Sequence, residues 1–209
     1  MAKIKFNYNQ WEKELFKRKY LILLSVIFLI VSAVLYHYVG LYVDTVARGL
    51  PADIIIDNTK SIDLGFLYGP GLWIVFAILL LYPLFFQPKN LHIVIFQMAI
   101  LNIVRDIFLC LTPMLTPLDT TYLITAGPAF FSFQNDLFFS GHTAFAFLGF
   151  WLFKDKKIKW FFLAATIILA STVMLMHAHY TIDIFAALFI TYGVYKFGNW
   201  VFNRKKKQK

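Results

Sequence analysis

Residues 20–42 read YLILLSVIFLIVSAVLYHYVGLY and contain no lysine, arginine, aspartate or glutamate. A helix needs about 20 consecutive apolar residues to cross the hydrocarbon core of a bilayer, so this run is long enough to span it. Further apolar runs occupy about residues 67–86, 91–111, 138–153, 158–177 and 182–202. Because each run is continuously apolar rather than alternating, it predicts a helix and not a barrel strand. We therefore expect an all-α integral membrane protein, a six-transmembrane-helix bundle.

The composition of the whole chain agrees with this class. Of its 209 residues, 60% are hydrophobic and 19% aromatic, which is more apolar than a typical soluble domain. The net charge of +9 would suggest a nucleic-acid partner in a soluble protein. Here the basic residues form short clusters beside the apolar runs, a pattern typical of cytoplasmic membrane flanks, so we expect no nucleic-acid partner. Cys110 is the only cysteine, which excludes an intramolecular disulfide.

The distribution of charge predicts the orientation of the bundle. All of the 20 lysines and arginines except Arg48, Lys60 and Arg105 fall on the side that holds both termini. By the positive-inside rule, the N- and C-termini are cytoplasmic. We expect a basic cytoplasmic segment at 1–19, a membrane catalytic domain at 20–203 and a basic cytoplasmic tail at 204–209. A cleaved signal peptide is the competing interpretation of residues 1–42. However, the apolar region of a signal peptide is only about 7–15 residues long and precedes a small-residue cleavage site. The run at 20–42 is longer, and no convincing site of this kind follows it.

Three predicted helices carry polar residues at the end opposite the termini. The third ends with Arg105, the fourth begins with Asp136 and Ser140-Gly141-His142-Thr143, and the sixth begins with His177-Ala-His179-Tyr180-Thr181-Ile182-Asp183. His179 and Asp183 are four residues apart and share a helical face, which allows a hydrogen bond between them. Ionisable residues at the edge of a membrane span are costly and usually functional. The alternative is a structural hydrogen bond that caps the helix.

These residue types favour phosphoryl or phosphodiester transfer. An imidazole that Asp183 orients can attack phosphorus, and a second, protonated imidazole can donate to the departing alkoxide. An arginine supplies paired donors for phosphate oxygens. Gly141 allows a close backbone approach, and Ser140 either caps the fourth helix or binds phosphate.

At these residues the sequence resembles the sphingomyelin synthase-related family, within the lipid phosphate phosphatase (type 2 phosphatidic acid phosphatase) superfamily. The resemblance rests on the Ser140–Thr143 motif preceded by Asp136 and on the His177–Asp183 motif. Arg105, followed by Thr112-Pro113 and Pro117, is similar more loosely to the family's motif after the third span. Val173 and Met174 stand where the broader superfamily has a phosphate-binding arginine, and the sphingomyelin synthase branch lacks that arginine too.

The resemblance implies that His179 is a nucleophile forming a phosphohistidine, with Asp183 its orienting partner and His142 the proton donor. It also implies an extracytoplasmic active site and no metal or other cofactor. The substrate would be a membrane phospholipid and the acceptor a lipid alcohol, ceramide or diacylglycerol. Residues expected to bind the phosphate or headgroup are Arg105, Asp136, Ser140, Gly141 and Tyr180.

Two other functions stay open at the level of sequence. The same residues suit a phosphatase that hydrolyses a phosphatidic acid-type or polyprenyl phosphate, because the acceptor is chosen by access and pocket shape. A non-catalytic lipid-binding or transport protein is the alternative from a different class, although it has no need of the intact set His142, His179 and Asp183.

The remaining polar residues have weaker functional interpretations. His177 is either a third functional histidine or an interfacial residue, and His37 and His92 are expected to be structural. Asp136 fits a cationic headgroup or a helix cap equally well. Zinc or iron would accept ligands of these types, namely His142, His177, His179 and Asp183. Arg105 argues against a metal ion, because a cation would repel it.

Overall fold

The computed structural model describes residues 8–121 and 129–207, with side chains for residues 8–121 and 130–202. Seven α-helices lie in these ranges. Their bounds are α1 Tyr8–Lys17, α2 Lys19–Val46, α3 Gly65–Phe86, α4 Leu91–Leu111, α5 Gly141–Leu152, α6 Lys159–Leu175 and α7 Thr181–Lys207. Short 3-10 helices lie at Ile56–Asn58, Pro88–Asn90 and Ala129–Phe131. The described residues contain no strand, so the predicted all-α class is confirmed.

Each of the six predicted spans coincides with a helix to within a few residues. Among the described residues, α2, α3 and the segment Pro88–Leu111, which includes α4, are long and apolar enough to cross a membrane. The 12 residues of α5 extend about 18 Å, less than the roughly 30 Å of a bilayer's hydrocarbon core. The structure thus supports a membrane protein with three candidate spans. The count of six spans and the cytoplasmic termini stay predictions.

Helix α1 lies in the segment for which the sequence predicted only a basic cytoplasmic stretch. It buries none of its residues. The Trp11 indole donates to the Leu84 carbonyl at 2.7 Å, and Glu14 lies 3.8 Å from Lys89. These contacts fix α1 beside the turn between α3 and α4, where the chain carries basic residues.

The central helix of the bundle is α5, which packs against α6, α7, α3 and α4, while α2 lies along α4. The core between them includes the fully buried side chains of Leu79, Leu101, Leu148, Phe153 and Phe162. Gly149 allows α6 to approach closely, because a Cβ there would fall 2.2 Å from Phe162. Apolar side chains on the outer faces of α2 and α3 are exposed, as a lipid-facing surface requires.

Helices α5 and α7 begin at the same end of the bundle. The Ser140 amide donates to the Asp183 carbonyl at 3.2 Å, so the two helix starts are bonded directly. Two loops cover this end. They are residues 47–64 and the described part of residues 112–137, of which residues 122–128 lie outside the described ranges. Backbone bonds from Arg48 to Pro113 and from Leu115 to Gly49 join the two loops.

Candidate active site

The start of α5 presents His142. Ser140 is the N-cap, and its hydroxyl oxygen accepts from the Thr143 amide at 3.4 Å and the Thr143 hydroxyl at 3.2 Å. His142 is the second residue of the helix and is buried, with its ring 4.0 Å from the Tyr68 ring. Among the described residues, its Nε2 atom has no hydrogen-bond partner. This nitrogen is available to hold or release a proton.

The start of α7 presents His179 and Asp183. Asp183 is fully buried, and its Oδ2 atom accepts from the Tyr180 amide at 2.9 Å, the backward half of a capping box. His179 Nδ1 lies 3.4 Å from the same Oδ2, which is ion-pair distance, but the described atoms give that nitrogen no hydrogen bond. The hydrogen bond that the spacing allows is therefore not formed, because Asp183 Oδ2 is directed at the helix cap. Asp183 Oδ1 is also buried without a partner among the described residues.

The two histidines face each other, His142 from the first turn of α5 and His179 from the turn that precedes α7. Their ring centroids are 6.4 Å apart, with an angle of 64° between the ring planes. The sequence placed both at one end of the bundle, and the structure brings them close enough to act on one group. They do not bond to each other at this distance.

Arg105 is buried behind the α5 start and paired with Asp136. Its Nε atom donates to the Phe139 carbonyl at 2.8 Å, and Nη2 lies 2.5 Å from Asp136 Oδ1. The Tyr36 hydroxyl donates to the other oxygen of Asp136 at 2.6 Å. The carboxylate therefore has a partner on each oxygen, and it neutralises much of the guanidinium charge.

Gly141 allows Arg105 to lie against the start of α5. A Cβ at this position would come within 3.3 Å of Arg105 Nε, which is tighter than most real contacts. The close approach that the sequence predicted for a ligand is thus made first by an arginine of the protein. The positive end of the helix dipole and the guanidinium lie side by side, which favours an anion there.

A cavity of about 320 Å³ reaches this group of residues. Its polar end is lined by Arg105, Asp136, Gly141 and His142, together with Tyr36 and Asn102. The rest of its wall is apolar and includes Leu29, Leu72, Phe76, Leu80 and Met98. From Tyr68 to Leu80 it follows α3 for roughly 18 Å. His179 is not among the described residues that line it, so of the two facing histidines only His142 contributes to the cavity wall.

Ser140 and Tyr180 also lie outside the lining of this cavity. The Tyr180 ring packs with Ile56 and Leu137, and its hydroxyl donates to the Leu115 carbonyl at 2.9 Å. Burial and the nearby charge of Asp183 raise the pKa of Tyr180 to about 12, so the phenol keeps its proton. In this geometry Tyr180 ties the start of α7 to the second loop. Headgroup binding by either residue stays a prediction.

His177 lies apart from the pair formed by His142 and His179. It is fully buried, with Nδ1 2.8 Å from Asp119 Oδ2 and Nε2 3.1 Å from the Thr59 hydroxyl. The predicted metal alternative needed His177 as a ligand, yet both of its ring nitrogens contact other residues. Within the described ranges, no group of three histidine, cysteine, aspartate or glutamate side chains is placed to hold a metal ion.

His37 and His92 have surroundings of a structural kind. The His37 ring stacks on Phe130 at 4.0 Å, and its Nδ1 lies 2.9 Å from the Phe130 carbonyl oxygen. His92 is buried at the far end of the bundle against Phe202.

Three further residues at this site, Tyr36, Tyr68 and Asp53, belong to no motif that sequence analysis identifies. Asp53 is buried, and its carboxylate accepts from the Thr181 amide at 2.6 Å and the Thr181 hydroxyl at 2.8 Å. Burial alone would raise the pKa of Asp53, but these bonds and those from the Ile55 and Ile56 amides outweigh it, so the pKa is lowered. An isolated aspartate in an irregular loop carries no pattern that would identify such a contact.

Comparison with known protein families gives one match. Residues 135–200 match the model described as PAP2 superfamily C-terminal, which covers the motifs at 136–143 and 177–183 but not Arg105. The match supports the lipid phosphate phosphatase superfamily. It also supports a lipid phosphatase or phosphotransferase kind of function, without distinguishing a branch. Comparisons with curated proteins and with solved structures give no significant match.

Proposed function

We propose that this protein is a membrane lipid phosphotransferase of the sphingomyelin synthase-like kind, acting through a phosphohistidine on His179. The observation that carries the proposal is the cavity, which joins a polar end containing Arg105 and His142 to a long apolar wall. A molecule that fits such a cavity has a charged headgroup and a hydrocarbon chain, as a phospholipid does. The proposal includes the six-span layout, with these residues on the extracytoplasmic side.

The proposed reaction has two steps at one phosphorus atom. In the first, a ring nitrogen of His179 bonds to phosphorus while the bond to the diacylglycerol oxygen breaks, and protonated His142 gives that oxygen a proton. In the second, His142 takes the proton of a lipid alcohol, whose oxygen bonds to phosphorus as the bond to His179 breaks. Arg105 and the start of α5 stabilise the phosphate oxygens in both steps.

The pairing of Arg105 with Asp136 favours a phosphodiester over a phosphomonoester as the substrate. A phosphomonoester with two negative charges would lie beside a carboxylate and an arginine whose charge is already largely neutralised. A phosphodiester brings a single negative charge, and a cationic headgroup can approach Asp136. Hydrolysis of a phosphatidic acid-type or polyprenyl phosphate is the alternative in which water replaces the alcohol.

The test is a transfer assay on the purified protein in lipid vesicles. Labelled phosphatidylcholine, phosphatidylethanolamine or phosphatidic acid is supplied, each with and without ceramide or diacylglycerol, and labelled products are separated. We expect headgroup transfer from a phosphodiester that depends on the added alcohol. Release of inorganic phosphate from phosphatidic acid alone would instead establish the phosphatase.

Three histidine variants locate the chemistry. His179→Ala and His142→Ala remove the proposed nucleophile and proton donor, and both are expected to lose turnover. His92→Phe is the matched control, because this histidine is buried among aromatic rings at the other end of the bundle. Full turnover in His179→Ala would exclude the phosphohistidine.

A further inference from the structure

The turn between α6 and α7, residues 176–180, carries His179 and is held by both covering loops. From the first loop, Ile62 donates its amide to the Leu175 carbonyl at 2.7 Å. From the second loop, Thr121 donates its amide to the Met176 carbonyl at 3.1 Å. The turn is therefore held from two sides before any side chain of the proposed reaction is considered.

The side chain of His177 is the point at which the two loops meet this turn. Nδ1 contacts Asp119 of the second loop, and Nε2 contacts Thr59 of the first loop. The backbone of His177 has φ +53°, the left-handed region, which only a few per cent of residues other than glycine adopt, although asparagine, aspartate and histidine are enriched there. A residue held in this conformation and fully buried has surroundings that fix its position.

Both ring nitrogens of His177 are engaged. The Asp119 carboxylate accepts from Nδ1 at 2.8 Å. Nε2 lies 3.1 Å from the Thr59 hydroxyl oxygen, which is also 2.8 Å from the Ile55 carbonyl oxygen. The buried ring is therefore bonded on one side to an exposed carboxylate and on the other to an exposed threonine.

His177 and His179 are two residues apart in one short turn, so a shift of the His177 ring displaces the His179 ring as well. The far side of the turn is fixed where Asp53 accepts from Thr181. His177 and Asp53 thus hold the turn on either side of His179. The reacting nitrogen needs such fixation, because misplacing a reacting group by about 1 Å costs on the order of 100-fold in rate.

We propose that His177 is a positioning residue for the transfer reaction, acting through Asp119 and Thr59 to set the place of His179. The proposal rests on the proposed function, since its main effect is on turnover. His177 does not line the cavity, and its partners Asp119 and Thr59 are not contacts of His142 or His179. Its role is therefore distinct from that of the proposed catalytic residues.

The experiment measures kcat and KM for wild type and three variants in the vesicle assay. Asparagine accepts the left-handed backbone conformation, so His177→Asn removes both contacts without straining the turn. We expect its kcat to fall by about 10- to 100-fold, while KM stays within about twofold. Thr59→Val removes one contact of an exposed residue, and Asp119→Asn removes the negative charge of the other, so we expect each to lower kcat by about 3- to 10-fold.

Matched variants separate positioning from a general loss of structure. Thr59→Ser keeps the hydroxyl, so its kcat should equal that of wild type, in contrast to Thr59→Val. Thr45→Val and Asp155→Asn make the same chemical changes at exposed positions away from the turn and should leave kcat unchanged. In the His177→Asn background, Thr59→Val and Asp119→Asn should have no further effect, because their shared partner is gone.

The outcomes distinguish the two proposals. If wild type is active and His177→Asn has the same kcat, the positioning role is overturned. It is also overturned if the losses in kcat add fully in the double variants. If wild type transfers no headgroup from any lipid, the proposed function fails. Amide hydrogen exchange of residues 176–181 then decides whether His177 holds the turn. Faster exchange in His177→Asn than in wild type and in the Thr45→Val and Asp155→Asn controls supports it, and equal exchange overturns it.

Discussion

Two histidine–aspartate pairs start from the same turn and differ in almost every respect. His177 contacts an exposed aspartate at 2.8 Å and a threonine hydroxyl on its other side, so both of its ring nitrogens are bonded. His179 lies 3.4 Å from a fully buried aspartate, and its Nδ1 has no hydrogen bond among the described atoms. One pair is complete, whereas the other has unused bonding capacity.

This difference separates support from chemistry. A buried polar atom without a partner costs about 1–3 kcal/mol, so a folded chain retains such atoms mainly where something other than stability requires them. Such atoms also occur elsewhere in the described residues, for example on His92, Gln97 and Asp106, but those of His142, His179 and Asp183 gather where α5 and α7 begin. The satisfied bonds of His177 surround that place and hold it.

The largest expected effects come from replacing each of the two histidines in a separate variant. His179→Gln should lower turnover by at least about 1,000-fold and change the free energy of unfolding little. His177→Asn should lower turnover far less but destabilise the protein by about 1–3 kcal/mol, because it disturbs the contacts of a buried ring. Headgroup transfer and thermal unfolding in vesicles measure both. The reverse pattern would show that the two roles are exchanged.

Substitutions of the two partner aspartates, Asp183 and Asp119, are expected to have smaller effects on turnover. Asp183→Asn keeps an oxygen for the Tyr180 amide but loses the charge that supports an imidazolium, so kcat should fall by about 100- to 10,000-fold. Asp119→Asn should stay within about tenfold of wild type. Equal losses in the two variants would mean that the buried and the exposed carboxylate serve the same end.

Acid should loosen the supporting contacts before it affects the core. The pKa of Asp53 is lowered on folding, so its stabilisation is complete above the ordinary carboxyl pKa of 3.8 and is lost as the pH falls through the lower folded value. As the pH falls below about 4, the melting temperature of wild type should therefore fall more steeply than that of Asp53→Asn. Parallel curves for the two proteins would remove Asp53 from the set of supporting residues.

The smallest expected effect concerns the start of α5. Gly141→Ala pushes Arg105 by a few tenths of an ångström, and turnover should fall by about threefold. Gly193→Ala is the control, because a Cβ there meets nothing within 4 Å. It should leave turnover unchanged and raise stability by up to about 1 kcal/mol. Equal turnover in both variants would show that Arg105 can shift without consequence.

The helices were predictable from the sequence because apolar length is a local property. Every long apolar run became a helix, and the order of runs placed Arg105, His142 and His179 at one end of the bundle. Helix α1 was missed because its lysines and glutamates resemble an unstructured basic segment. The short α5 shows that apolar composition alone does not settle whether a helix crosses a membrane.

The loop contacts were not predictable, since they join residues far apart in the chain without any periodic pattern. Nothing near Asp53 indicates that it accepts from Thr181, and nothing near Asp136 indicates its pairing with both Arg105 and Tyr36. These partners are set by how the helices pack and by where the loops then fall. Motifs identified the residues of the proposed reaction but not those that support them.

The bonds around the turn also have a consequence in time. They join Thr181 to Asp53 across 128 positions, and His177 to Thr59 and Asp119 across 118 and 58 positions. Contacts between such distant residues form late, because the intervening chain must first be ordered. On a ribosome the two loops emerge long before the turn that they hold. The end of the bundle that holds the proposed active site is therefore completed only when the last helix takes its place.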